Sequence, residues 1–569
     1  MPLQITAGIL GMARVGLLSV ALAQAAGAAS GANSQSPLGI NLSGVNYYAS
    51  EMPFINDFWV ASQWLTHEDG GAWDTNEQKY LNLDGDGWPK TLTTVNEPAA
   101  QRFTSLGALI FRDLPATANG YYPAGKYIVL YEGKGKISYG FDAHLVSSAP
   151  GRDVLNVTPS TAGIEVKITA TDPKRTGDYI RNIRLVSADN EAAIKAGKIF
   201  NPVFLERIQR FRALRFMDWL QINDSPLSSW SGRPLVSNAF WGTAKGVPLE
   251  IAVQAANAVS ADAWLPVPHM ADDDYIKQMA ALVHTTLGSG QKVYVEFSNE
   301  VWNGAFPQYQ YAITRGQAIW RDQPGGGGGF AWNRNWYGMR SAQTCDIWKS
   351  VWGEDRNRVV CVLAAQAANT DSALSSLTCK FWTQGAPCSR HGFDAVAIAP
   401  YFGYAGVPAS WTARSDRGLS DFFKSLDSQN DASIPPGGSL QAASDWEKAY
   451  MTVLAPYKLP LIAYEGGQGF ANGATPALNE LYIAANRDPR MATAYAKYLA
   501  QWKANGGQLF MYFDDVGTAS GSGAWGALES LMQTVTPVER APPKWQGLQN
   551  FISANPCWWT ACAATDAGR

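Results

Sequence analysis

From residue 213 onward the chain alternates short, largely apolar runs with segments of helical period. The runs are Ala213–Trp219, Ala263–His269, Lys292–Asn299, Arg358–Leu363, Phe393–Tyr401, Pro460–Glu465 and Gln508–Phe513. Rich in β-branched and aromatic residues and apolar on both faces, they read as buried parallel strands. Helices fit the gaps, for instance Pro248–Val259, Asp272–Leu287 and Ala492–Asn505. Asn201-Pro202 supplies a cap residue followed by proline at a first helical position. An earlier run, Gly44–Tyr48, brings the count to eight strand-then-helix steps, the number of a TIM (β/α)8 barrel.

The stretch from about residue 71 to 195 has a different texture. Leu109–Arg112, Gly125–Tyr131, Lys136–Gly140 and Gly163–Thr169 are short alternating segments separated by Gly, Pro, Asn and Asp turns. Strands at that spacing, without helical periods between them, predict an all-β sandwich inserted between the first and second barrel strands. The expected layout is a first part of the barrel over 40–70, the insert over 71–195 and the rest of the barrel over 196–569. Within the insert, Asp84-Gly-Asp-Gly87 reads as a turn, since the further ligands of a calcium loop do not follow. Five glycines, Gly325–Gly329, read as a flexible loop.

Composition narrows the class. A chain of 569 residues with 46% hydrophobic and 16% charged residues is globular and too long for one ordinary core. A net charge of -3 gives no reason to expect nucleic acid or an anionic membrane as partner. Arg14 followed by the apolar run Val15–Ala23 and small-residue sites reads as an export signal over residues 1–30, placing the mature protein in a secreted or periplasmic setting. No later stretch reaches the ~18 apolar residues of a membrane span. Of six cysteines, the short loops favour Cys379 with Cys388 and Cys557 with Cys562, leaving Cys345 with Cys361. The scattered histidines and the absence of Cys-x-x-Cys predict no metal. The 22 tryptophans exceed what packing normally requires, and exposed indoles stack on the flat faces of sugars.

Candidate chemistry concentrates at two strand ends. Val293–Phe297 is apolar but for Glu296 and breaks into Ser298, Asn299 and Glu300; a period of two would put Glu296, Ser298 and Glu300 on one face. Leu459–Glu465 likewise ends in a glutamate, followed by two glycines. Two such glutamates in one chain suggest a carboxylate pair.

With Asn299-Glu300 ending strand four, Glu465 ending strand seven, and Arg215, His269 and Tyr401 on strands two, three and six, the chain resembles the retaining (β/α)8-barrel glycoside hydrolases of the cellulase and mannanase clan. It also resembles bacterial exported proteins described as cellulose-binding. The first resemblance implies Glu300 as acid/base, Glu465 as nucleophile, and Asn299, Arg215, Tyr401 and His269 as substrate-binding or supporting residues. Where that clan usually has Trp at the end of strand eight, this chain has Tyr512-Phe513-Asp514-Asp515. Trp302, just past the acid, is the best stacking candidate, with Trp241 and Trp525 weaker. Structural alternatives accompany several of these: Arg215 as a buried ion pair with Asp218 or Glu296, His269 as loop packing, Tyr401 as a core tyrosine, Glu296 as an interior hydrogen-bond partner. The expected activity is cofactor-free hydrolysis of a β-linked polysaccharide or oligosaccharide by double displacement. The rival is a catalytically silent carbohydrate-binding protein on the same barrel.

Overall fold

The computed structural model describes residues 33–94, 101–323 and 328–563. The export signal lies outside the described residues, as does most of the Gly325–Gly329 run; Gly329 itself opens the helix Gly329–Trp352.

Eight parallel strands close into a barrel in chain order: Leu38–Asn41, Ala213–Arg215, Asp262–Val267, Val293–Phe297, Val359–Ala364, Ala395–Ile398, Leu461–Ala463 and Phe510–Tyr512. The last pairs with the first, Leu38 opposite Phe510 and Ile40 opposite Tyr512. Strand one is therefore Leu38–Asn41 and not Gly44–Tyr48, which belongs to the loop leaving it at the barrel mouth. Four residues with one β-branched side chain, Ile40, and no aromatic are a faint signal. The glycine inside them answers to packing, because a Cβ on Gly39 would stand 2.2 Å from the Met511 sulfur.

Every strand residue except Val360 is buried, as expected of a parallel sheet covered on both faces. The barrel interior is filled by aromatic rings set among smaller residues: Trp264 stacks on Tyr294 at 5.2 Å, in a cluster that includes Ala213, Ala364, Ala395, Ala397, Tyr464 and Met511. Helices Leu249–Ala258, Asp273–Thr286 and Arg490–Ala504 lie close to their expected places. Asn201 caps Pro202–Ile208 through its side chain, and Asp272 caps Asp273–Thr286 in the same way.

The connection between strands one and two holds two four-stranded antiparallel sheets. One runs Leu65–His67, Ser105–Ile110, Ile164–Thr171, Gly135–Phe141; the other runs Arg181–Ser187, Gly125–Glu132, Arg152–Val157, Ala143–Ala149. A single apolar core continues from sandwich into barrel. At the junction Trp59 stacks on Trp241 at 4.1 Å, with Phe54 edge-on to Trp241 at 5.1 Å, so Trp241 is packing and is fully buried. Asn56 ties the two units further, accepting from Phe58 N at 3.1 Å and from Leu185 N at 2.9 Å. The Asp84 segment is a turn: the Asp84 carboxylate accepts from the backbone of Asp86 and Trp88 and from the Tyr179 hydroxyl.

Cys379–Cys388 and Cys557–Cys562 are disulfides. The remaining two differ from expectation: Cys345, on a helix, and Cys361, on strand five, are neighbouring buried free thiols. No helix of the described residues is long and apolar enough to cross a membrane.

Candidate active site

The C-terminal ends of the barrel strands surround a cleft of about 600 Å³. Its lining comes from the ends of strands two, four, five, six, seven and eight, among them Asp218, Glu300, Gln366, Tyr401, Glu465 and Phe513. Active sites of this architecture form at that face, because the strand ends are rigid while the loops beyond them vary.

Arg215 is the organising cation. It is fully buried, and each of its five N–H groups has an acceptor. Nε and one terminal nitrogen donate to Glu296 Oε2 at 3.0 and 2.9 Å; the others reach Asn299 Oδ1 at 2.8 Å, Asn41 Oδ1 at 2.9 Å and Glu465 Oε1 at 2.8 Å. Its guanidinium also lies over the rings of Trp264 and Tyr464, at 5.8 and 5.2 Å. The ion pair is with Glu296 and Glu465, not Asp218. Glu296 points into the barrel, where Trp264 Nε1 donates to it at 2.8 Å.

Glu465 lies two residues past the end of strand seven and is 6% exposed. Arg215 holds one carboxylate oxygen and the Tyr401 hydroxyl the other, at 3.0 Å, so the group is anchored at both oxygens at the cleft floor. Ionised, it is compensated by a full charge and a hydrogen bond.

Glu300 reaches the same cleft by a different backbone route. The period-two expectation fails here, because the strand ends at Phe297 and both Ser298 (φ 63°) and Glu300 (φ 41°) adopt left-handed conformations that non-glycine residues seldom take. The turn swings Glu300 over the mouth, where its carboxyl accepts from the Tyr464 hydroxyl at 2.9 Å and from Asn303 Nδ2 at 2.8 Å. Burial, and next the negative charge of Glu465, push it up from 4.5 to about 7, against the opposing pull of Asn303, Tyr464 and Arg215. The two carboxyls thus differ in surroundings: one is clamped by a cation, the other is enclosed and repelled by the first.

Asn299 is locked between Arg215 and Asn223, donating to Asn223 Oδ1 at 3.1 Å. Gln308 secures the turn by donating to the Asn299 carbonyl at 2.9 Å and to Asn223 Oδ1 at 2.7 Å. Asn299, Tyr401 and Trp302 all line the cleft, and so does Trp525. His269 does not line it. It is buried, edge-on to Tyr311 at 5.1 Å, and desolvation lowers its basicity.

Sequence reasoning passed over several groups. Tyr464 was hidden as one more apolar strand residue beside Glu465. Asn41 had no signal, lying on the unrecognised first strand. Asp218, read from the sequence only as a possible ion-pair partner of Arg215, is a third carboxyl on the cleft wall, raised to about 7 by burial and then by Asp514 and Glu465. Among the described residues no group of three or more His, Cys, Asp or Glu is placed to hold a metal ion.

No protein-family model matches the chain, and no curated protein matches it. Solved structures to which it is similar include a GH51 arabinofuranosidase from Xanthomonas axonopodis pv. citri, at 11% identity over 62% of this chain and 66% of that one, with a TM-score of 0.38. The chain spans just under two thirds of that protein's length. A GH5-4 broad specificity endoglucanase from Clostridium acetobutylicum aligns at 13% identity over 61% of this chain and 90% of that one, TM-score 0.32. A modular endo-β-1,4-mannanase from Cellulomonas fimi aligns at 11% over 63% and 66%, TM-score 0.32. At these scores the alignments assign neither a residue nor a substrate.

Proposed function

We propose that the protein is a retaining glycoside hydrolase that cleaves a β-linked polysaccharide or oligosaccharide, without metal or organic cofactor. The observation that carries this reading is the unlike pair of carboxyls in one cleft, Glu465 held by Arg215 and Tyr401, and Glu300 raised to about 7. Glycosidic cleavage needs a carboxylic acid to protonate the departing oxygen and a carboxylate on the other side of the anomeric carbon.

In the first step Glu465 attacks the anomeric carbon as the bond to the leaving oxygen breaks, and Glu300 gives that oxygen its proton. The product is a glycosyl ester on Glu465 and the released alcohol. In the second step the Glu300 carboxylate takes a proton from water, which attacks the anomeric carbon and frees Glu465. Retention calls for carboxyls about 5 to 5.5 Å apart. Asn299 offers its remaining amide hydrogen to the sugar 2-hydroxyl, a contact that strengthens as positive charge develops on the ring. Trp302 and Trp525 offer stacking faces. Two disulfides and the character of residues 1–30 support a secreted or periplasmic setting.

The test is turnover on a panel of β-glycans and aryl glycosides, with Glu465→Gln and Glu300→Ala alongside. Wild type should release reducing ends, and each variant should lose several orders of magnitude in kcat while still binding sugar. Failure of the wild type on every substrate would sink the hydrolase reading and leave carbohydrate binding.

A further inference from the structure

Five aromatic side chains are exposed among the described residues: Tyr48, Trp73, Phe141, Phe330 and Tyr404. They fall into two groups, one at a recess of the cleft and the other running from the loop after strand one onto the sandwich. Phe330 and Tyr404 line a recess of about 360 Å³ that shares Trp302, Asn303, Gln366 and Tyr404 with the main cleft. The recess lies toward strands four to six. The second group leaves the mouth on the opposite side, at the loop after strand one, since strands one and five are diametrically opposed in a closed barrel of eight.

Backbone and ring contacts lead from the loop after strand one to that second group on the sandwich. Gly44 packs against Asp218 on the cleft wall, where a Cβ would meet the Asp218 Cβ at 3.8 Å. Tyr48 stands edge-on to Tyr47 at 5.0 Å, and the Tyr47 carbonyl accepts from Arg112 N at 3.0 Å. The Arg112 guanidinium covers one side of Phe141 at 5.3 Å, and Phe141 lies 5.7 Å from Trp73. Trp73 is 52% exposed and Tyr48 57%.

The backbone that carries Phe141 and Trp73 is anchored. Phe141 has a left-handed backbone (φ 59°), unusual for a bulky side chain. The next residue, Asp142, is locked by the Tyr122 hydroxyl at 2.6 Å, Ser160 N at 2.7 Å and Ser160 Oγ at 2.6 Å. Trp73 is held through its carbonyl, 2.5 Å from His67 Nδ1, with its ring against the His67 imidazole at 4.5 Å. Exposed aromatic area held rigid over a tight polar anchor is suited to a ligand with flat apolar faces. Arg112, the cation among these rings, is paired with Asp113 at 3.6 Å, which offsets its charge.

We propose that the Tyr48–Phe141–Trp73 face of the sandwich is a glycan-holding track continuous with the cleft, so that a long neutral glycan lies across the barrel mouth and is cut internally. This rests on the hydrolase reading, since the acids sit between the two aromatic groups. The sandwich thereby acts as part of the substrate site, and the chain length of the substrate is the property it selects.

The experiment uses the full chain with Glu465→Gln, which binds without cutting, in affinity electrophoresis through gels containing hydroxyethylcellulose, soluble xylan or galactomannan. Adding Trp73→Ala and Phe141→Ala together should weaken binding to the retained polymer at least tenfold. On the Glu465 background the same pair of changes should leave turnover of a short aryl β-glycoside within twofold, which also reports folding. Viscosity of the polymer should fall faster than reducing ends appear. Polymer binding unchanged by the double substitution, or no polymer bound by any form, would overturn the track. Polymer binding that depends on Trp73 and Phe141 in a wild type that cleaves nothing would uphold the track and remove the hydrolase reading.

Discussion

Tyr464→Phe isolates what sets the proton on Glu300. The Tyr464 ring is fully buried beside Arg215, and phenylalanine fills the same space, so the change removes one donor at 2.9 Å and little else. That donor favours the carboxylate, and its loss raises Glu300 further. A hydrogen bond to a charged group contributes roughly 1.5–3 kcal/mol, part of it recovered when cleft water takes the vacated site. Since about 1.4 kcal/mol is a factor of ten in proton affinity, the group should move up by about one pH unit. An acid catalyst works only when protonated, so kcat/KM for wild type should fall with a midpoint near pH 7, where Glu300 loses its proton. In the variant the midpoint should lie about one unit higher. At pH 8 wild type then retains roughly a tenth of its plateau and the variant roughly half, a fivefold relative gain, with little difference at pH 6. The assay is kcat/KM from pH 5 to 9 on an unactivated oligosaccharide, whose poor leaving group needs the proton. A basic limb that stays put or moves down would refute the assignment of Tyr464 and Glu300 to these roles.

Three further outcomes follow from the same geometry. Glu300 binds its proton up to about pH 7 when folded, against 4.5 as the ordinary value, so the folded state holds more protons between those values. Its contribution to stability is complete below pH 4.5 and is lost as pH rises through 7; Glu300→Gln should match wild type at pH 4 and exceed it at pH 8 by up to about 3 kcal/mol in calorimetry. Arg215→Met strips the cation from two buried carboxylates and should destabilise the fold by about 3–5 kcal/mol in urea titration while abolishing turnover, and Arg215→Lys should not restore it, lacking the five-pronged fork. Alkylation followed by mass spectrometry should find two thiols, Cys345 and Cys361, reactive only after unfolding; four disulfide-linked and two alkylated cysteines is the expected pattern, and full protection in denaturant would show a third bridge.

The barrel was readable where physics leaves a plain trace. Parallel strands buried on both faces are largely apolar, and seven of the eight stand out that way. The eighth, Leu38–Asn41, is four residues whose glycine is dictated by Met511 on the neighbouring strand eight, a contact no local pattern encodes. Glu300 and Glu465 were visible because polar residues break apolar runs at strand ends. Their partners were less so. Tyr464 reads as core, and its hydroxyl acquires meaning only when strand seven comes close to the turn after strand four. Nor could alternation place Glu300, since positive φ at Ser298 and Glu300 replaces the strand geometry on which alternation depends. The cleft walls Phe330, Tyr404 and Trp446 come from long connections without readable periodicity, which the structure organises around the helices Gly329–Trp352 and Ser439–Leu454. His269 was placed by strand position alone, and the local path after Pro268 turns it into packing against Tyr311.

The most direct measurement is to treat the protein with a panel of dinitrophenyl 2-deoxy-2-fluoro-β-glycosides and map the modified peptide by mass spectrometry. Double displacement at this site predicts one sugar per protein, ester-linked to Glu465, with Glu465→Gln unlabelled. A label on Glu300, on Asp218 or on no carboxyl in an enzyme that turns over the matching aryl glycoside would contradict it.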